Sequence, residues 1–395
     1  MSEASKDAAP LSAAAPAPNQ TSTLLPPWTA RQLRSLLAQR GHAWLLAGPS
    51  GLGQYSLALE MVRAWLCDSP KGSDEAPKVA VDSPKGIVGS PTGSGDKPGG
   101  QGACGICASC HAIDVRTHAD LCVLMPETVM LALGWPLSEK AQTDIDDKKR
   151  KASKEIRVEA MRDAVEFSQR TSARGQGKAV LVFPAERMNH ITANALLKTL
   201  EEPPGDVKFV LASEAAHQLL PTIRSRCLGH SMAWPGLDES LDWLQTQGVP
   251  AAQAQTLLRA AGGRPQDALL FAQSGRDPQS WAALPRAMQR GDVSAVKDWT
   301  PMQTIDALHK LCHDLLAIKT GAQPRFFDVA DLPKTSVGSA VAALTQWARA
   351  LTAATRTMEH PFNPGLMLEA LVNQAQHALS PAAHAGSKSG LNSGQ

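Results

Sequence analysis

At 395 residues the chain exceeds one ordinary core, so two or three domains of ~100–200 residues are expected. Hydrophobic residues make up 43% and charged residues 19%, the balance of a globular rather than a disordered protein. Lys+Arg 39 against Asp+Glu 37 leaves +2, which argues against a global basic field and against autonomous, charge-driven DNA binding. No stretch approaches the ~18 consecutive apolar residues of a membrane span. The N-terminus carries Glu3 and Asp7 and is broken by prolines, unlike a secretory signal. The expected location is the cytoplasm. Seven cysteines in that reducing compartment read as metal ligands or buried thiols, not as disulfides.

In chain order, residues 1–27 hold seven Ala and five Pro without any period and read as a disordered tail. His42–Ala47 is a short apolar strand, and Tyr55–Leu66 follows as a helix. Between them lies Gly48-Pro49-Ser50-Gly51-Leu52-Gly53-Gln54-Tyr55-Ser56, placed where a phosphate-binding loop belongs. In G-x-x-x-x-G-K-[ST], glycines let backbone N–H groups wrap the phosphates, Lys reaches the β/γ-phosphates and a hydroxyl holds Mg²⁺. Gly48 and Gly53 keep the spacing, with Gly51 between them. The lysine position is Gln54 and the hydroxyl position is Tyr55, so the loop fold is expected without nucleotide binding.

Residues 68–103 are half Gly, Pro or Ser and repeat DSPKG, with almost nothing apolar to bury, so they read as a flexible insertion. Cys104-Gly105-Ile106-Cys107-Ala108-Ser109-Cys110 is C-x₂-C-x₂-C, preceded by Cys67 across that insertion. Three thiolates at this spacing plus Cys67 make a closed structural Zn²⁺ site. His111 is the alternative fourth ligand, but it adjoins Cys110. An iron–sulfur reading fails because Asp114 and Val115 stand where Cys and Pro are needed. Cys122, Cys227 and Cys312 lie singly and read as core thiols. Ser138–Lys154 is charged and contains Lys148-Lys149-Arg150-Lys151, read as a second flexible insertion with a solvated basic run.

Lys178–Phe183 and Lys208–Ala212 are further apolar strands. Between them Thr192–Glu202 is a helix with Ala193, Leu196, Leu197 and Leu200 on one face, stopped by Pro203-Pro204. Alternating strands and helices predict a parallel sheet covered on both faces. Where a Walker B acid pair belongs, after Lys178–Phe183, stand Pro184 and Ala185, with Glu186 one residue late. Both halves of an ATPase site are therefore defective. After His230 the strand signals stop, and helices are expected at Asp238–Leu244, Ala251–Ala261, Pro265–Ser274, Thr304–Lys319, Val337–Thr357 and Gly365–Leu379.

The loop GPSGLGQ, C-x₂-C-x₂-C, NALLKTLEEPP and the triplet Ser225-Arg226-Cys227 together resemble the delta-prime subunits of the bacterial DNA polymerase III clamp loader, which are AAA+ proteins. The resemblance covers residues 28–275 by motif and the helical remainder by general pattern. Sibling gamma/tau motors share the motifs but keep a complete phosphate loop, so the defective loop selects delta-prime. The resemblance implies an AAA+ α/β domain at 28–230 with a zinc module (67–122), a helical lid (231–278), an all-helical collar domain (279–380) and a tail (381–395). It implies a non-hydrolysing stator within the DNA polymerase III holoenzyme, without polymerase or ATPase activity of its own. Arg226 is then an arginine finger given in trans to ATP on a neighbouring gamma/tau subunit. The implied partners are gamma/tau, the delta subunit and, through the complex, the sliding clamp and primed DNA, in a hetero-oligomer. Ser213 takes the sensor-1 place. Gln266 takes the sensor-2 place, with Arg264 shifted by two. Two other classes stay open. An independent AAA+ ATPase is opposed by Gln54, Tyr55, Pro184 and Ala185. A zinc-containing DNA-binding regulator is opposed by the near-neutral surroundings of Cys104–Cys110.

Overall fold

A computed structural model describes residues 25–70, 102–274, 277–333, 341–357 and 363–379. The expected tails (1–27 and 381–395) and the insertion 68–103 lie wholly or mostly outside those residues. The chain divides into two compact units, Met1–Trp234 and Pro235–Gln395.

The first unit runs α1 (Pro27–Leu37), β1 (Ala43–Ala47), α2 (Gln54–Leu66), α3 (Ala108–Asp114), β2 (Leu121–Leu124), α4 (Glu127–Leu133), α5 (Glu139–Asp146), α6 (Val158–Gln169), β3 (Lys178–Val182), α7 (His190–Glu201), β4 (Val207–Ser213), α8 (Pro221–Arg224) and β5 (Leu228–Ser231). The five strands form one sheet in the order β2-β3-β4-β1-β5, with every pairing parallel. Period-2 alternation sorts the side chains of the inner strands onto two apolar faces. Trp44, Leu46, Ala179, Leu181, Val210 and Ala212 pack with α1 and α2 on one side. Leu45, Val180, Val182, Phe209 and Leu211 pack with α6 and α7 on the other. Each fully buried Val, Leu or Phe among these contributes ~1.5–3 kcal/mol of hydrophobic stabilisation, so the double cover is what holds the sheet.

The parallel α/β sheet agrees with expectation, but it has two strands beyond the three read from sequence. Both are edges. β2 is half-buried and β5 mostly exposed, so neither carries the unbroken apolar run that marks an inner strand. The charged stretch 138–154 is not a plain loop. Ser138 caps α5 by accepting from the Ala141 amide, and Arg150 and the Ser153 amide are held by Glu127. Arg150 also faces Asp144 at 3.5 Å, and Lys149 pairs with Asp147, so two of the four basic side chains of this run have acidic partners.

The second unit is helical: α9 (Leu237–Thr246), α10 (Ala251–Ala260), α11 (Pro265–Gln273), α12 (Pro278–Arg290), α13 (Pro301–Lys319), α14 (Val341–Thr357) and α15 (Pro364–Leu379). The segments expected as lid and collar both lie here and share one apolar cluster, from Leu244 through Trp281 and Leu311 to Leu379. Thr300 and Gln303 form a capping box that starts α13. Helix α12 escapes sequence reading because Pro285 lies inside it. Cys312 is buried in α13, as a core thiol should be, whereas Cys122 and Cys227 are only half-buried at the rim of the sheet core.

Candidate functional site

The phosphate-type loop connects β1 to α2. Gly51 (φ 77°) and Gly53 (φ 91°) adopt the left-handed backbone that the turn into the helix requires. Gln54, the first residue of α2, is 2% exposed and folds back into the loop. Its side-chain amide donates to the Gly48 carbonyl at 2.6 Å and the Pro49 carbonyl at 2.7 Å. Both donors of that amide are thereby spent on the loop's own backbone. Tyr55 is engaged elsewhere: its hydroxyl accepts from Trp135 Nε1 at 2.7 Å and its ring lies 5.2 Å from Phe183. Burial pushes the Tyr55 hydroxyl above its ordinary range, so it stays neutral.

On the strand side of the loop, Ala185 is fully buried after β3 and offers no carboxylate. Glu186 instead accepts from Ser213 Oγ at 2.8 Å and from the Glu214 amide. Ser213 sits beside Ala47 in the sheet, and its carbonyl accepts from the Gly48 amide. The misplaced acid and the residue at the sensor-1 place therefore satisfy one another at the edge of the loop. In the second unit, Arg264 precedes α11 and pairs with Asp267 at 3.0 Å, while Gln266 lies in that helix's first turn.

Cys67, at the C-terminal end of α2, meets Cys104, Cys107 and Cys110, with all four sulfurs within 4.8 Å of one another. The Cys67–Cys107, Cys67–Cys110 and Cys104–Cys110 sulfurs are 3.8, 3.8 and 3.9 Å apart. Four thiolates placed tetrahedrally at ~2.3 Å from a zinc ion stand about 3.8 Å apart, so the arrangement fits a closed metal site and is far too open for a disulfide. His111 is exposed and outside the cluster, which removes it as fourth ligand. Burial disfavours the Cys104 thiolate, but the Ile106 and Cys107 amides outweigh it and bring that thiol down to about 6. Burial pushes the Cys67 and Cys110 thiols up.

Outside the sulfurs runs a polar chain that sequence reading missed. Asp68 accepts from the Ser109 amide and hydroxyl and pairs with Arg174 at 3.2 Å. His118 joins Ser109 Oγ to the Asp120 amide. Asp120, fully buried, accepts from Ser172 and from the Ala173 and Arg174 amides, and faces Lys178 at 3.6 Å. The cysteine turn is thus tied to the start of β3. Scattered single residues of this kind carry no spacing signal from which the chain could have been read.

Arg226 follows the single turn of α8. Its Nε donates to Glu201 at 2.6 Å, its Nη2 also contacts that carboxylate, and its Nη1 donates to the Thr222 carbonyl at 2.8 Å. The side chain remains 31% exposed. Glu201, the last residue of α7, belongs to the NALLKTLEEPP segment, but nothing in that motif announces its partner.

A family model described as DNA polymerase III, delta subunit, matches residues 93–233. DNA polymerase III subunit delta' of Pseudomonas aeruginosa is 36% identical over 230 residues, which are 58% of this chain and 55% of that protein. Over these segments the chain is similar to the delta-prime subunits. The alignment spans about half the length of the Pseudomonas protein and, at 27% identity over 306 residues, 76% of the Escherichia coli one and 72% of this chain. DNA polymerase III subunit tau of Escherichia coli is 28% identical over 58% of this chain and 28% of its own length. Among solved structures, a DNA polymerase III gamma subunit-related protein from Thermotoga maritima is 15% identical with a TM-score of 0.42, covering 89% of this chain and all of that one. A likeness that low adds nothing to the strand order described above. No helix among the described residues is long and apolar enough to cross a membrane.

Proposed function

We propose that this chain is a non-hydrolysing AAA+ subunit of a bacterial clamp loader, working in the cytoplasm in a hetero-oligomer with gamma/tau-type ATPase subunits and a delta-type subunit. In this reading Cys67, Cys104, Cys107 and Cys110 hold a structural Zn²⁺. The complex opens a sliding clamp and places it on primed DNA, and this chain contributes fixed geometry and Arg226. A planar guanidinium at a neighbour's γ-phosphate stabilises the charge that develops in phosphoryl transfer, an effect worth ~10³–10⁵ in rate in related systems. The lid and collar remain part of the proposal as subdivisions of the helical unit.

The observation that carries the non-hydrolysing reading is the Gln54 amide bonded to Gly48 and Pro49. In an active loop that place belongs to a cation reaching for phosphate. The purified chain alone should show no magnesium-dependent ATP hydrolysis above a contaminant control. Gln54→Lys with Tyr55→Thr should not create it, because Pro184 and Ala185 supply no acid to hold the metal or orient water. Turnover by the unmodified chain would overturn the reading, and failure to co-purify with gamma/tau-type and delta-type subunits would remove its partners.

A further inference from the structure

The guanidinium of Arg226 has five N–H donors, and the structure spends them unevenly. The Nε and one Nη2 hydrogen converge on Glu201 Oε1, and Nη1 donates to Thr222 with Ser225 Oγ at 3.4 Å beyond it. The side chain keeps 31% of its surface exposed. The backbone below is anchored: Ile223 is fully buried, and the Arg226 amide donates to the Ile223 carbonyl. The guanidinium is therefore held between Glu201 on its Nε side and the Thr222 carbonyl at Nη1.

Helix stability does not explain an acid at this place. Glu201 is the last residue of α7, beside the negative end of the helix dipole, where a cation is preferred. Pro203-Pro204 prevents the helix from continuing, so Glu201 stays at the end of α7, where its carboxylate meets Arg226 across the fold. We infer that Glu201 is the positioning residue for Arg226, holding the guanidinium plane so that its outer edge is presented to a phosphate on a neighbouring subunit. This rests on the reading of Arg226 as a finger. Two effects oppose each other. A carboxylate near the arginine weakens its pull on an anion, but Glu201 is exposed and Arg226 partly so, and water screens part of that loss. A catalytic group misplaced by about 1 Å can lose ~10²-fold in rate. Positioning therefore outweighs the charge cost.

The test uses the complete complex reconstituted with clamp, primed DNA and ATP, comparing Glu201→Gln, Glu201→Ala, Arg226→Ala and the double alanine variant. Stimulated kcat should fall in the order unmodified, Gln, Ala, because Gln keeps an acceptor for Nε and Ala keeps none. Glu201→Ala should give most of the loss produced by Arg226→Ala, with the KM for ATP unchanged, since the finger acts only in the transition state. On the Arg226→Ala background, Glu201→Ala should cost nothing further. Isosteric Glu201→Gln carries the test if the alanine variant assembles poorly. A kcat unchanged or raised by both Glu201 substitutions, while Arg226→Ala lowers it, overturns the positioning role and leaves the finger standing. An additive loss in the double variant also overturns it. No effect of Arg226→Ala overturns the finger reading itself and this inference with it.

Discussion

At the scale of single residues, the two positions that would carry phosphate chemistry have taken on packing duties. Tyr55 is the clearer case, because its hydroxyl is the hydrogen-bond partner of the buried Trp135 indole N–H. Arg116 lies 5.5 Å from the same indole ring and donates to the Gly134 carbonyl at 2.6 Å, so Trp135 is held on two sides. Tyr55→Phe keeps the ring against Phe183 but strands the indole N–H. The asymmetry between making a hydrogen bond and orphaning its donor sets the cost at about 1–2 kcal/mol. Urea unfolding followed by a probe in the first unit should show that loss, with no change in the denaturant slope. A variant as stable as the unmodified chain would mean that Trp135 finds another acceptor.

At the scale of elements, the cysteine turn is a short piece of chain with little apolar surface of its own. Ile106, between the second and third cysteines in chain order, is 91% exposed. What organises the turn is the sulfur cluster together with Asp68, Ser109 and His118. A bound ion should therefore supply much of its order. Purified under reducing conditions, the chain should contain one zinc per molecule. Chelation should raise amide exchange around Cys104–His118 and leave the helices of the second unit unchanged. Metal-free protein with Cys104, Cys107 and Cys110 freely alkylated would remove the ion from the account. The elements legible in sequence were those whose period is set by burial on one or two full faces: β1, β3 and β4, and helices such as α7 and α13. Edge strands β2 and β5, the charged α5 and the proline-containing α12 were not legible, because tertiary partners rather than local pattern hold them. The same division runs through the site. Cysteine spacing and loop glycines are written locally, whereas the pairing of Arg226 with Glu201 joins residues 25 apart and exists only in the fold.

At the scale of the whole molecule, the first unit should be sensitive to acid, because it holds carboxylates depressed below their ordinary range. Burial works to raise the Asp120 carboxyl, but the Ala173 and Arg174 amides, Ser172 and Lys178 outweigh it and hold it below its ordinary range. Burial likewise opposes Glu127, and Arg150, the Ser153 amide and Arg157 overcome it. A carboxyl depressed in the folded state contributes stability that is complete above its unfolded value of ~4 and is lost as pH falls through the folded one. The first unit should accordingly hold its urea midpoint from pH 7 to about pH 5 and lose it steeply below about pH 4. Asp120→Asn should lower the midpoint at pH 7 and flatten the acid limb. A midpoint independent of pH down to pH 3 would contradict this assignment.

Gln54 is joined covalently to the loop it fills, so its amide needs no dissolved partner to occupy it, and any phosphate entering must first displace that amide. On the reading proposed above, the loop takes its shape when the chain folds and not from a bound nucleotide. In the proposed assembly, a subunit built this way would offer an edge whose shape does not follow nucleotide supply, a datum against which its neighbours' movements are made.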